Sequence, residues 1–382
     1  MDASNLVAKV NILRDQNDFE GATAAYAEAC IKDPDCYSAF NNYGNLLRET
    51  LRPRQAIPFL QAACTMQFAE AHAPFNLAVA YLSIEDYPNG FKYYESRWDY
   101  EHMQGMLPKL EAPRWNGEDL RDKTIFVCGE QGFGDIIQMS RFFQNLHDLG
   151  ARVKLTVEPN IIPLFEGSAV LESITRPDVH PGHFDYWTML MDLPGRLGIT
   201  RETLPAPLQY IGARTEKIQA WQQRLGPKTR LRIGFAYSGR RDSWINQHKS
   251  MPLTTMLELV RQCPEADWIS LQVDADENDR ALLQQQGLPL YPGSISDWTD
   301  TAGLVHNLDL IVSVDTAVAH LAAAMGKPVW VPLNRYAPCW RWGVDKDTMP
   351  WYPTIRIFRQ AVHGKWDEPL NRIARFIRTF KP

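Results

Sequence analysis

Between residues 308 and 328 the chain runs from a short apolar strand through a polar turn into an alanine-rich helix, and no other stretch limits the possible folds so strongly. Leu308-Asp-Leu-Ile-Val-Ser313 has the nearly unbroken apolar character of a parallel strand buried on both faces. Thr316 to Met325 predicts a helix, closed by Gly326 and the following Lys327-Pro328. Asp315 and Thr316 fall on the turn between them. The first amides of a helix have no helical carbonyl to receive them and together carry about half a positive charge. The turn, with Ala317, Val318 and His320 behind it, is therefore a candidate anion site, and a ligand with phosphates is the natural occupant. Asp315 is equally well placed simply to cap the helix.

The same alternation recurs upstream. Lys123–Cys128 and Arg152–Val157 are apolar runs of strand length, and the segment from Asp135 to Leu149 has helical spacing. After a polar stretch around Gly226 to Thr229, further strands are predicted at Leu231–Tyr237, Trp268–Gln272, Val329–Pro332 and Thr354–Phe358. Strands alternating with helices imply parallel sheets covered on both faces. We expect a first α/β lobe over 123–226 and a second over 227–382, closed by an amphipathic helix carrying Leu370, Ile373, Phe376 and Ile377. Two such lobes hold ligands at the C-terminal ends of their strands.

Those strand ends carry the polar chemistry. In the first lobe Gly129, Gly132 and Gly134 would let a backbone loop approach a ligand, and Asp135 enters the following helix, where it is also a natural cap. The glycine order, Gly-x-x-Gly-x-Gly, is not that of the dinucleotide fingerprint, although Glu158 imitates its ribose-binding acid. In the second lobe the strand ending at Tyr237 leads into Ser238, Gly239, Arg240 and Arg241, and then His248 and Lys249, a cationic loop suited to a diphosphate. Gln272 and the Asp300-Thr301-Ala302 segment occupy comparable places and would hold a ribose or base, or serve as a polar strand end and a helix cap. Tyr336 to Trp342, with Trp351 and Tyr352, form either an aromatic platform or plain core. His306 and His320 lack a third ligand at useful spacing, so hydrogen-bonded histidines are expected and no metal.

The N-terminal part follows a different rule. Shifted against itself by about 34 residues, the chain brings Ala22, Ala56 and Gly90 into one column and Tyr26, Leu60 and Tyr94 into another, with Ala29 over Ala63. Helix pairs are predicted at 4–16 with 19–31, 37–49 with 53–65, and 71–83 with 87–98. The pattern resembles the tetratricopeptide repeat, which implies either a surface that grips a protein or peptide or a brace for the next domain. Domain 1–100 is expected to be all-α. Residues 101–122, broken by Pro108, Pro113 and Gly117, are expected to connect it to the α/β part.

With 382 residues, 45% of them hydrophobic, the chain can bury several cores. A net charge of −5 argues against nucleic acid as the main partner. Six scattered cysteines suit reduced thiols, no apolar run is long enough for a membrane span, and the first residues lack a basic start followed by an apolar block. We expect a cytoplasmic location.

Residues 123–380 resemble the family-nine glycosyltransferases, which include the lipopolysaccharide heptosyltransferases, through Gly132-Phe-Gly-Asp135, His248-Lys249 and Val314 to Pro328. That resemblance implies a GT-B-like pair of Rossmann-like lobes, here preceded by the all-α tetratricopeptide-repeat domain. It implies inverting transfer without a metal or cofactor, from a nucleoside-diphosphate sugar to a glycan or protein hydroxyl. By resemblance Asp135 is the base, Lys249 the diphosphate-contacting lysine, and Asp315, Thr316, Ala317 and His320 the donor-binding turn and helix. The repeats are also similar to those of protein O-linked sugar transferases, which implies a protein acceptor. Two other readings predict different ligands: a non-catalytic adaptor would bind no nucleotide, and a dehydrogenase would bind NAD in the first lobe.

Overall fold

The computed structural model describes residues 10, 13, 16–66, 72–100, 103, 105–239, 244–288, 291 and 294–381. They fall into two compact units. The first gathers Met1–Lys109, Leu197–Leu204 and Arg335–Lys346; the second gathers Leu110–Arg196, Pro205–Asn334 and Asp347–Pro382. Residues 335–346 thus cluster with the helices, whereas the sequence assigned 227–382 without interruption to the second lobe.

The first unit contains the helices Phe19–Lys32, Tyr37–Glu49, Pro53–Thr65, His72–Ser83 and Tyr87–Tyr94, with a 3-10 turn at Glu95–Asp99. The expected helix at 4–16 lies almost wholly outside the described residues. Small residues set the helix spacing. A Cβ on Gly44 would lie 2.5 Å from Leu60 Cγ, and one on Gly90 2.5 Å from Leu82 Cδ2. Asn17, Leu51 and Glu85, evenly spaced along the chain, all take left-handed backbone (φ +59°, +63° and +66°) where it turns between helices. The periodicity of sequence is thus a periodicity of backbone.

Two excursions complete this unit. Tyr336 stacks on Phe19 (4.7 Å, 18°), and its hydroxyl donates to buried Glu49 at 2.8 Å. The Ala337 amide donates to the Glu49 carbonyl at 2.8 Å, and Trp340 packs edge-on against Phe91 and Tyr94. Glu85 receives Arg201 at 2.6 Å and Lys346 at 3.0 Å. Tyr336, Trp340 and Trp342 are therefore core residues here and form no sugar platform.

The second unit holds two parallel sheets. In the first lobe β1 (Thr124–Cys128), β2 (Arg152–Thr156), β3 (Ser173–Thr175) and β4 (Tyr186–Met189) lie in the order β3-β2-β1-β4. In the second, β5 (Arg232–Ala236), β6 (Asp267–Ser270), β7 (Leu310–Ser313), β8 (Val329–Leu333) and β9 (Ile355–Arg359) lie in the order β6-β5-β7-β8-β9. Every pairing is parallel, and β1, β5, β7 and β8 are buried throughout, as their unbroken apolar character requires. The closing helix Asp367–Ile377 buries Leu370, Ile373, Ala374 and Ile377 in a core that also contains Trp330 and Phe358.

Three features depart from the sequence reading. The helix expected over 135–149 is interrupted by a 3-10 turn at Ser140–Phe142, where the Ser140 hydroxyl bonds back to the Ile137 carbonyl at 2.8 Å. Part of the expected connection touches the sheet: Arg114 forms an isolated bridge with Trp187 of β4, and the Trp115 amide donates to the Trp187 carbonyl at 2.7 Å. The helix Thr215–Leu225, placed in the first lobe by the sequence, packs on the second-lobe helix Trp298–His306. A Cβ on Gly303 would lie 2.9 Å from the Lys217 carbonyl group.

Candidate functional site

Strand order reverses between β1 and β4 in the first lobe and between β5 and β7 in the second. At such a reversal the connections leave to opposite sides and open a crevice beyond the strand ends. Both candidate loops issue from these places.

The first loop follows β1. Gly129 is a packing requirement: its amide donates to the Thr156 carbonyl at 2.8 Å, and a Cβ there would sit 2.7 Å from that oxygen. Gln131, not a glycine, takes the left-handed backbone (φ +62°), and Glu130 accepts from the Met191 amide at 2.9 Å, tying the loop to the end of β4. Gly132 begins the helix Phe133–Met139. Asp135 lies in its first turn, where Oδ2 accepts from the Gly132 amide at 3.1 Å. Cys128, at the end of β1, is no nucleophile, because burial and then Glu130 push its thiol up to about 12.

Gly134 carries the loop to the other lobe. A Cβ there would lie 2.9 Å from His320 Cδ2 and 3.4 Å from Ala317 Cα. The residue before Asp135 therefore abuts the helix Ala317–Ala324 directly. Beside it, Phe133 meets Trp298 of the second lobe edge to face, at 5.4 Å.

In the second lobe Thr316 is the N-cap of the helix Ala317–Ala324, in extended conformation (φ −136°, ψ 165°). Its hydroxyl turns to Ser313 Oγ, at 2.8 Å, and does not cap the helix. The carbonyl of Thr316 takes the amides of Ala319 and His320, while Ala317 and Val318 stand in the half-exposed first turn. Asp315 is buried and faces two cations or potential cations: Lys249 Nζ at 2.7 Å from Oδ2 and His320 Nε2 at 3.9 Å from Oδ1. Lys249 ends the helix Trp244–Lys249. The structure thus brings Lys249, Asp315, Thr316, Ala317, Val318 and His320 together, although two strands and three helices separate the lysine from the aspartate along the chain.

The other described residues expected to bind ligand make hydrogen bonds within the fold. Gln272 accepts from the amides of Tyr237 and Ser238 (3.3 and 3.2 Å) and donates to the Ser238 carbonyl at 3.0 Å, so its amide group pins the exit of β5. Ser238 and Gly239 are held through Ser250 Oγ, at 3.2 and 3.1 Å. Thr301 is buried in the helix Trp298–His306, next to Asp300, which takes Lys217 at 2.6 Å. Arg240 and Arg241 lie outside the described residues. Trp351 and Tyr352 are fully buried, which settles them as core.

Behind the turn the sequence missed Arg141 and Tyr210, and it read Tyr352 only as platform or core. Tyr352 Oη lies 3.2 Å from His320 Nδ1 and 3.2 Å from Tyr210 Oη, and Arg141 Nη2 donates to Tyr210 at 3.0 Å. Arg141 also donates to the carbonyls of Gln138, Pro205 and Trp351.

The second unit is thus a parallel two-lobed α/β body whose strand-end loops face one another. Residues 297–362 match the model of glycosyltransferase family 9 (heptosyltransferase). In structure the chain is similar to the E. coli ADP-heptose LPS heptosyltransferase II, at 14% identity over 67% of this chain and 98% of that one, with a TM-score of 0.51. It is also similar to a family 9 glycosyl transferase of Veillonella parvula, at 12% identity over 70% and 92%, with a TM-score of 0.50. Protein FlbA of Caulobacter vibrioides is 26% identical across 97% of this chain, which spans 66% of the length of that relative. About two thirds of the chain thus shares the fold of the E. coli heptosyltransferase, and residues 297–362 match the family 9 glycosyltransferase model.

Proposed function

We propose that this chain transfers a sugar, with inversion and without a metal, from a nucleoside diphosphate to a hydroxyl group of a glycan or protein acceptor in the cytoplasm. One observation carries the reading: Gly134, the neighbour of Asp135, packs against His320 and Ala317, so a candidate base and a candidate anion site share one crevice. An acceptor oxygen attacks the anomeric carbon while Asp135 takes its proton. The bond to the diphosphate breaks on the opposite side. Negative charge growing on that leaving group meets the Lys249 ammonium, which Asp315 fixes in place, and the amides that open the helix Ala317–Ala324. Because these dipoles are already oriented, little reorganisation is needed as the charge appears.

ADP-heptose is the first donor to test, since a structurally similar protein is an ADP-heptose transferase. The even spacing of the left-handed turns at Asn17, Leu51 and Glu85, and of the small residues Ala22, Ala56 and Gly90, supports a tetratricopeptide-type array for the helical unit, able to hold a protein acceptor. Calorimetry with ADP, UDP and GDP tests the site: binding of one supports it, and binding of none supports the adaptor reading. Asp135→Ala is expected to lose transfer by about a hundredfold or more while still binding the nucleotide, whereas Lys249→Ala weakens both. Undiminished turnover by the Asp135 variant would remove that residue from the chemistry.

A further inference from the structure

Three side chains that the proposed transfer does not use, together with His320 of the candidate anion site, form a polar line through the interior of the α/β unit. Arg141 sits in the 3-10 turn Ser140–Phe142 of the first lobe, and Tyr210 lies where the chain crosses to the second. Tyr352 precedes β9, and His320 belongs to the helix Ala317–Ala324. The steps are 3.0 Å from Arg141 Nη2 to Tyr210 Oη, 3.2 Å on to Tyr352 Oη, and 3.2 Å on to His320 Nδ1. Beyond the ring, Nε2 faces Asp315 Oδ1 at 3.9 Å, and the other carboxylate oxygen holds Lys249. Arg141 and His320 are both buried.

The charges at the two ends decide which way the protons point. A guanidinium has only donors, so Tyr210 must accept from it. The Tyr210 proton has three acceptors in reach, Tyr352 at 3.2 Å and the carbonyls of Ile137 at 3.2 Å and Gln138 at 3.5 Å, but those carbonyls already receive the Ser140 hydroxyl and Arg141 Nε, each at 2.8 Å. Tyr210 then donates to Tyr352, and Tyr352 to His320 Nδ1. The ring proton consequently sits on Nε2 and faces a carboxylate. The opposite arrangement would aim the Nε2 lone pair at Asp315. Burial pushes the phenols of Tyr210 and Tyr352 above their ordinary value, so both retain their protons at neutral pH.

We propose that Tyr352 is a positioning residue: its hydroxyl, oriented by Arg141 through Tyr210, fixes His320 as the Nε2–H tautomer, whose proton faces the Asp315 carboxylate that holds Lys249 for the diphosphate. The relay is independent of the ligand, and only its consequence for binding rests on the proposed nucleotide site. A directed chain between opposite charges gains from mutual polarisation. It also couples the first lobe, through Arg141, to the turn that receives the donor.

The test uses the full chain with 15N-labelled histidine, read by two-bond nitrogen–proton NMR, with the His320 signal assigned by its loss in His320→Gln. The native protein is expected to show His320 fixed as the Nε2–H tautomer, and Tyr352→Phe to convert it to a mixture of tautomers. Tyr210→Phe should shift it in the same direction, and this variant decides the matter if circular dichroism shows that Tyr352→Phe does not fold. A native Nδ1–H tautomer, or a signal unmoved by removal of the hydroxyl, overturns the proposal. With ADP as probe, Tyr352→Phe should bind about three- to tenfold more weakly. A native protein that binds none of ADP, UDP and GDP, yet whose His320 tautomer follows Tyr352, would sustain the relay and remove the nucleotide reading.

Discussion

Gly134 shows how much one position decides. It adjoins the candidate base, and the nearest atoms to an added Cβ belong to the opposing lobe. Gly134→Ala must therefore push the helix Ala317–Ala324 away or displace the Asp135 loop. Overpacking of this kind costs about 1–3 kcal/mol. We expect a lower melting temperature in calorimetry together with weaker nucleotide binding. Gly132→Ala, whose Cβ would make only an ordinary contact with Asp135, should change stability little. At this scale the sequence revealed residues whose type and place were both unusual: an acid on a glycine loop, a lysine in a cationic loop, an Asp-Thr pair opening a helix. It did not reveal Arg141 and Tyr210, and it offered Tyr352 only as platform or core. Their meaning lies in mutual contact between distant parts of the chain, and an isolated tyrosine among apolar neighbours looks like any core residue.

Elements were more legible than single contacts. The apolar strands stand within two residues of their expected bounds and the helices at 37–49 and 53–65 at the expected residues, because periodicity integrates many side chains. β3 and β4 went unnoticed because neither is an unbroken apolar run: Ser173-Ile-Thr175 is partly exposed, and Thr188 interrupts Tyr186–Met189. The break at Ser140–Phe142 also escaped, because side-chain bonding back to the main chain leaves the apolar spacing intact. The pairing of the helices Thr215–Leu225 and Trp298–His306 gives a prediction at this level. Burial alone would push the Asp300 carboxyl up, but hydrogen bonds from Lys217 and Ser296 outweigh it and hold the group below its usual range. A carboxyl depressed in the folded state stabilises above its unfolded value, and that stability fades as pH falls through the folded value. Asp300→Asn should therefore lower stability at neutral pH by about 2 kcal/mol, with the difference from the native protein shrinking in acid, as denaturant titrations at several pH values would show.

At the scale of the whole molecule, two units were foreseeable because two periodicities divide the sequence, that of the helical repeat and that of alternating strand and helix. What the sequence concealed is that the chain does not respect that division. Residues 197–204 and 335–346 leave the α/β portion and return to it, and both are bound within the helical unit by Glu85, Glu49 and the aromatic side chains around Phe91. Acidic hydrogen-bond acceptors and ring faces give no linear signature of what they will receive.

Those excursions make the helices inseparable from the remainder. A chain cut before residue 110 would keep Tyr336, Trp340 and Trp342 but lose Phe19, Glu49, Phe91 and Tyr94, leaving large rings without their cover. Such a truncation should aggregate or melt well below the intact protein in light scattering and calorimetry, whereas a dispensable appendage would come away cleanly. Evolutionary loss or exchange of the helical region is accordingly hindered: any replacement must supply a new berth for a tryptophan-rich loop that starts just past the end of β8.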